Sequence, residues 1–428
     1  MTRGQPEGGA AQDARAGSAR NPWLVWLPGP LFFSFSFFQR TAPGVMADDL
    51  MRDFDVGAAL LGNLAAFYFY GYASMQLIGG LLLDRWGPRR VIAAAALVAA
   101  TGVAVFATAG DLTAAYLGRF LIGAGVGFAW LGTLKIVALW FPLRRFALIG
   151  GLSTMFGMFG AMLGQAPLAA LIDRIGWRPA LLASAAAGVA CSLLVWLFVR
   201  DGPAAPRRGR GGLLRGLRRA GSNRQTWIIA LYAGTVIMPF NALAALWGVP
   251  FIMQAQGLAR GPAALVVSMM LLGQAVGAPL LGWLSDRMGR RRPTMGLCAA
   301  LSLATYVPII GAPDIPLVFM YALFFLAGVF STGIIIGFAA GREANALEVS
   351  GVTAGIINTA VMAGGAFIQP AIGLLMDAFW DGRIEAGLRV YSLETFQLAF
   401  LILPAVLAVS LMTVPLVREG GKTTRTSE

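Results

Sequence analysis

Three basic side chains lie inside long apolar runs of this chain: Arg40 in Trp23 to Met46, and Arg119 and Lys135 in Leu112 to Leu139. A charge carried into hydrocarbon costs roughly 2.5 to 3.5 kcal/mol on insertion scales, so it is kept where it is paired or where it works. No acid matches these cations in depth, because Asp48, Asp111, Asp173, Asp377, Glu343 and Glu348 all fall at the ends of apolar runs or between them. The chemistry open to a cation so placed is capture of a negative group brought from outside. Arg40 and Lys135 are therefore the candidate ligands for a small organic anion, with Tyr68, Tyr72, Asn241, Gln274 and Asn358 as uncharged polar contacts. The chain has 31 Arg and two Lys, and a lysine at this depth offers a compact, titratable ammonium instead of a planar fork. The competing reading is structural. Arg40 then bridges to Asp48 or Asp49, Lys135 stretches to the membrane surface, and the uncharged polar residues serve packing and interhelical bonds.

The elements that must position these residues are membrane helices. Of 428 residues 57% are hydrophobic and 12% charged, against roughly 25% charge in soluble domains. Runs long enough to cross a bilayer, about 20 residues each, recur at Trp23 to Met46, Val56 to Leu83, Val91 to Ala109, Leu112 to Leu139, Ala147 to Ile172 and Ala180 to Val199. After a break they resume at Trp227 to Met253, Ala263 to Leu284, Thr294 to Ala312, Pro316 to Ala340, Val349 to Phe379 and Phe396 to Val417. The expected architecture is an all-α membrane protein of twelve transmembrane helices in two six-helix halves, residues 23–199 and 227–417. A basic linker, 200–226, joins them, with room for a short amphipathic helix, and polar tails fill 1–22 and 418–428. Pro28 and Pro30 suit the first turn of a helix. That start puts Arg40 about ten residues in, or roughly 15 Å at 1.5 Å per residue.

The net charge of +13 is sorted by side: 24 of the 33 basic residues fall on the face that carries both termini and the linker. Such a bias places that face, and both termini, in the cytosol, and argues for a lipid bilayer rather than nucleic acid as the polyanionic partner. The first run ends at Gln39-Arg40 without a cleavage-like site, so it reads as a retained helix and not a signal peptide. Cys191 and Cys298 each sit in a span, histidine is absent, and no metal ligand set or cofactor motif is found.

The second chemical pattern is a doubled one. Gly80, Asp84, Arg85, Gly87 and Arg89 in GGLLLDRWGPRR return as Gly282, Asp286, Arg287, Gly289 and Arg291 in GWLSDRMGRRRP, each pair 202 residues apart. This resembles the loop signature of the major facilitator superfamily of secondary transporters, found after the second and the eighth membrane helix. The resemblance implies that Gly80 lets span 2 approach span 11, and that Asp84 holds the start of span 11 and meets basic residues in one conformation. A carboxylate at a helix N-terminus gains roughly 0.3 to 1 kcal/mol from the dipole. Gly80, Asp84, Arg85, Arg89, Asp286, Arg287 and Arg119 are thus the expected gating residues, and Arg119, followed by Gly123, Gly125 and Gly127, is similar to another superfamily pattern in helix 4.

In span 5 the resemblance to drug-exporting members is partial, since Gln165 and Ala166 stand where their motif wants Gly followed by Pro. Gln165 and Asp173 match Gln369 and Asp377 at a common offset of 204, so the repeat covers the whole half. Arg40 looks like the helix 1 arginine of organic phosphate antiporters, but Ala242 replaces their second basic residue on helix 7. Phe37 to Arg90 and Gly341 to Pro370 look like the bacterial branch akin to lysosomal dipeptide carriers and magnetosome iron-uptake carriers. The function expected is a secondary active or facilitative carrier of a small, anionic organic solute (a carboxylate, an amino acid or peptide, or a phosphorylated metabolite), a monomer in a bacterial inner membrane, working by alternating access. A ligand sensor of the same fold and an efflux carrier of drug-like compounds are the alternatives. An enzyme is not expected, since no nucleophile with a base or phosphate-binding loop appears.

Overall fold

The computed structural model describes residues 21–142, 145–201, 210–312, 315–385 and 388–419. The tail 1–20, linker residues 202–209 and the tail 420–428 lie outside the described residues. Twelve helical rods carry the chain: α1 Pro28–Val45, α2 Ala58–Trp86, α3 Pro88–Thr108, α4 Leu112–Trp140, α5 Leu148–Ile175 and α6 Trp177–Phe198. The second half holds α7 Arg224–Gln256, α8 Arg260–Met288, α9 Arg291–Gly311, α10 Leu317–Glu343, α11 Ser350–Ala378 and α12 Leu393–Leu416. Between α11 and α12 lies a two-residue hairpin, Ile384–Glu385 against Leu388–Arg389, with Ile384 opposite Arg389.

By length and hydropathy, ten rods, α3 to α12, are long and apolar enough to cross a bilayer, and an eleventh span joins the short helix Ala47–Phe54 to α2 through a 111° bend. Helix α1 misses that test because it is 18 residues long and carries Ser34, Ser36, Gln39 and Arg40. That polarity marks a helix that faces protein and cavity rather than lipid. The linker contains the helix Arg210–Ser222, which Arg219 ties to Glu348 ahead of α11 at 3.8 Å. It ends three residues sooner than the sequence implied, since Asn223 caps α7 by accepting a hydrogen bond from the Gln225 amide.

Within each half the helices are drawn together through small residues, the usual means where lipid competes for apolar surface. A Cβ on Gly123 of α4 would strike the Tyr68 carbonyl of α2, and one on Gly125 the Ala95 carbonyl of α3. In the second half Gly328 of α10 sits in the same way on Met270 of α8. The halves meet along α2 with α11, α1 with α7, and α5 with α8. Along α2 and α11 the contact runs from the end away from the linker as far as the hydrogen bond from Asn358 to Gln76. Away from the linker, Gly62 of α2 packs on the Gln369 carbonyl of α11 and Gly373 of α11 on the Ala58 carbonyl. Toward the linker, Gly80, Gly351 and Gly355 have nothing within 4 Å of where a Cβ would lie. Helices α2 and α11 therefore splay apart there, and the space between the halves opens toward the linker face.

Two local defects matter for the interior. Pro43 inside α1 has no N–H, so the Gln39 carbonyl four residues earlier loses its helical partner. In α7, Leu243–Trp247 forms a π-helical turn, which widens the ladder and loosens nearby carbonyls. Gly62→Val should force α2 and α11 apart at their sealed end. A spin-label pair across that end is expected to report a longer and broader distance than in the parent, and an unchanged distribution would show that the seal does not rest on this contact.

Candidate functional site

The Gln39 carbonyl left open by Pro43 is taken by Arg119, whose Nη1 donates to it at 2.9 Å. Arg119 is 1% exposed, and its guanidinium carbon stands 5.2 Å from the centre of the Tyr68 ring and 5.8 Å from that of Phe106. Its Nε has no hydrogen-bond partner. Arg119 thus repairs α1 at the residue before Arg40 and fixes that stretch of backbone. The Gln39 side chain ties the same point to α6 by donating to Ser184 Oγ at 3.0 Å.

Arg40 lies in an aromatic chamber between α1, α2 and α11. Its guanidinium carbon is 4.6 Å from the Phe37 ring centre and 5.8 Å from each of Tyr68, Phe69 and Tyr72. Nη2 reaches only the sulfur of Met362 on α11, at 3.8 Å, and the buried Nε has no partner. Among the described residues no carboxylate lies within ion-pair distance of Arg40 or Arg119. The alternative bridge from Arg40 to Asp48 or Asp49 is not formed: Asp49 pairs with Arg260 at 2.9 Å and Arg52 at 3.6 Å. Ring faces give roughly 0.5 to 2 kcal/mol per cation–π contact. They host the charge without cancelling it.

Tyr68 donates to the Ser36 carbonyl at 3.1 Å, which locks it between the two guanidinium groups. Tyr72 faces Gln76 and Asn358. Asn358 Nδ2 of α11 donates to Gln76 Oε1 of α2 at 2.8 Å, and Gln76 Nε2 donates to the Gly127 carbonyl of α4 at 3.1 Å. The structure so brings together Arg40, Tyr68, Tyr72 and Asn358. Sequence reasoning passed over Gln76 as a site residue, although it follows Tyr72 by four positions on the same helical face. Arg119 belongs with this cluster, deep in the wall, and not with a gate. Its depth was legible in the sequence, but its place over Tyr68 was not.

Three expectations need correction. Lys135 does have a resident acid, pairing with Asp84 at 2.7 Å. The reason is that α2 stays helical through Trp86, so Asp84, read as a loop residue, continues the packed α2–α4 pair at Lys135's level. Gln274 lies elsewhere, with its Nε2 donating to Ser331 Oγ of α10 at 3.3 Å. Asn241 contacts the seal instead: its carbonyl accepts from Gln369 Nε2 at 2.8 Å while its own Nδ2 is buried without a partner.

At the linker face the charged signature residues have their partners within their own half. Besides Asp84 with Lys135, Asp286 pairs with Arg291 at 2.6 Å, and Arg291 with Glu343 of α10 at 2.7 Å. Arg89 binds α6, donating its amide to Asp201 at 3.0 Å and its Nε to the Trp196 carbonyl at 2.8 Å. Arg85 and Arg287 lie over Trp86 and Trp283 at 5.9 and 5.2 Å. Asp84 does not hold α11 in this conformation, because α2 and α11 have separated around Gly80, and no side chain caps the start of α11 at Ser350.

The opposite end is closed by bonds between halves. Asp377 of α11 accepts from the Ala58 and Ala59 amides at the start of α2, at 3.1 and 2.9 Å, and from the Tyr391 hydroxyl at 2.5 Å. Burial and the Asp377 bond push the Tyr391 phenol well above its ordinary range, so it remains a donor. The repeat partner Asp173 meets Arg260 of α8 at 3.6 Å. Gln165 Nε2 donates across to the Ala244 carbonyl in the π turn of α7 at 2.9 Å, while within the second half Trp247 Nε1 donates to the Gln369 carbonyl at 3.2 Å.

A profile of the Major Facilitator Superfamily matches residues 31–249 and again 231–428. A probable sulfoacetate transporter of Cupriavidus necator is 24% identical over 281 residues, covering 62% of this chain and 65% of its own. The human monocarboxylate transporter 11 is 30% identical over 312 residues, covering 68% of this chain and 63% of its own. The chain thus aligns with just under two thirds of the length of these two relatives. A probable galactarate/D-glucarate transporter of Escherichia coli is 22% identical over 413 residues, covering 86% and 90%. Among solved structures, an unoccupied, inward-facing bacterial homolog of the human lysosomal transporter Spinster superposes with a TM-score of 0.79 at 17% identity, covering 94% of this chain and 98% of that one.

Lys135→Ala frees Asp84 to cap the start of α11, so labels on the linker ends of α2 and α11 should move closer together. The double variant with Asp84→Asn should restore the parent distance, and a Lys135→Ala distribution identical to the parent would dispose of the exchange.

Proposed function

The chain belongs to the major facilitator superfamily, and from that premise we propose that it carries a small organic anion across the membrane by alternating access, with Arg40 as the principal ligand. The observation that carries this is the guanidinium in the central chamber with no carboxylate in reach, set among Tyr68, Tyr72, Gln76 and Asn358. A carboxylate or sulfonate docked on Arg40 gains a charge-assisted, bidentate contact, while the aromatic faces accept an apolar body. Arg119 adds positive field behind Tyr68 and sets the backbone. The named cargoes of the relatives above, sulfoacetate, monocarboxylates and galactarate or glucarate, are all organic anions and agree with this class.

With the linker face in the cytosol, as its excess of basic residues supports, the conformation described is open to the cytosol and sealed to the outside. Arg40 bridges α1 to Met362 on α11, so a ligand there touches both halves and favours their closure. Closing would bring α11 to Asp84, which leaves Lys135, while Asp377 releases the α2 amides at the far end. Among the described residues no carboxylate lies within ion-pair distance of Arg40 to serve as a proton carrier beside it. The cycle therefore runs as exchange, as facilitated movement, or with a proton carried on the substrate's own acid. The setting proposed is a bacterial inner membrane, the unit a monomer, and the cargo an anion that needs no cofactor.

Loss of a hydrogen-bonded charge costs about 1.5 to 3 kcal/mol, or roughly 10- to 100-fold in affinity. Arg40→Ala should therefore abolish saturable uptake of dicarboxylates and sulfonates into proteoliposomes at unchanged protein abundance and melting temperature. Arg40→Lys should retain a weakened fraction. Full uptake by Arg40→Ala would refute the assignment, and binding without flux in the parent would identify a sensor.

A further inference from the structure

A second site lies on the outer wall of the first half, away from the chamber. Toward the linker face, α2, α3 and α4 line an open groove of about 690 Å³ whose lining contains a single ionisable side chain, Arg90. Its origin is local. The alanine-rich face of α3, with Ala94 and Ala95, leaves a slot where Phe120 and Phe128 of α4 and Leu82 of α2 form the opposite wall. Apolar cavities of about 150 Å³ already stay dry, so a slot of this size and lining calls for hydrocarbon. At its linker-side mouth stand Trp86, 53% exposed, and the exposed Arg90. Among the described residues Arg90 has no hydrogen bond or ion pair, whereas its neighbour Arg89 is fully engaged with Asp201 and Trp196. The nearby acid, Asp84, is held by Lys135. Arg85 adds positive charge beside Trp86.

We propose that this groove is a binding site for one anionic phospholipid of the inner leaflet, an acyl chain filling the slot between α2, α3 and α4 and the phosphate meeting Arg90. Trp86 marks the level of the headgroups, where indole rings settle. The charge at the mouth selects the headgroup and the slot holds the chain, so the two parts are separable by mutation. One arginine near an anionic surface is worth about a fivefold preference.

The test is native mass spectrometry of the purified full chain equilibrated with equal amounts of phosphatidylglycerol and phosphatidylcholine, scoring the most firmly retained lipid. The parent should retain phosphatidylglycerol about fivefold over phosphatidylcholine, and Arg90→Lys should do the same. Arg90→Ala should bring the ratio close to one without lowering total retention. Ala94→Phe, at an exposed position of α3, should fill the slot and reduce retention of both lipids. The proposal is overturned if Arg90→Ala keeps the preference, if Ala94→Phe leaves retention intact, or if inorganic phosphate alone displaces the lipid, since the acyl chain would then contribute nothing.

Discussion

A guanidinium in a low-dielectric interior needs a counter-charge, and in this protein Arg40 has been given quadrupoles and a thioether instead. Everything around it serves to keep that charge in place without cancelling it. The chain arranges this through a defect: Pro43 opens the α1 ladder at Gln39, Arg119 closes it from α4, and the residue after Gln39 is thereby fixed where the rings of α2 meet it. The buried Arg119 maintains the frame, and the partly buried Arg40 has no carboxylate within ion-pair distance among the described residues. Tyr68, with its hydroxyl bound to Ser36, keeps the two apart while facing both.

The same economy governs the two ends. At the sealed end the bonds run between halves, with Asp377 on the α2 amides and Gln165 on the π turn of α7. At the open end they run within halves, with Asp84 on Lys135 and Arg291 between Asp286 and Glu343. The acids named at both ends are satisfied in this arrangement, and the exchange of partners proposed above would keep the two states near in energy. A carrier needs that near balance, because a state favoured by many kcal/mol would not be left on binding a small solute. The glycines make the exchange steric as well as electrostatic: Gly62 and Gly373 permit close approach at one end, and Gly80 waits in open space at the other.

Much of this was legible in the residues. Two sets of six apolar runs, the 202-residue return of the Asp-Arg signature and the 204-residue return of Gln165 and Asp173 announced a duplicated helical membrane protein. So did the depth of Arg40 and Arg119. Periodicity, charge placement and repetition are properties of the chain itself, and hydrocarbon leaves a spanning segment little choice but to be a helix. The basic bias likewise needs no coordinates.

What the sequence could not decide was which side chain answers which. Lys135 looked unpaired until α2 proved helical through Trp86 and carried Asp84 to it. Asn241 and Gln274 looked like ligands until the packing of α7 and α8 set the Asn241 backbone carbonyl on Gln369 and the Gln274 amide on Ser331. Gln76 was overlooked until α11 set Asn358 against it. These pairings join residues from 51 to 282 positions apart, and they depend on where helices cross and which end of the molecule is closed. Depth along a helix is fixed by counting residues, but the facing partner is fixed only by the rotation and tilt that packing imposes.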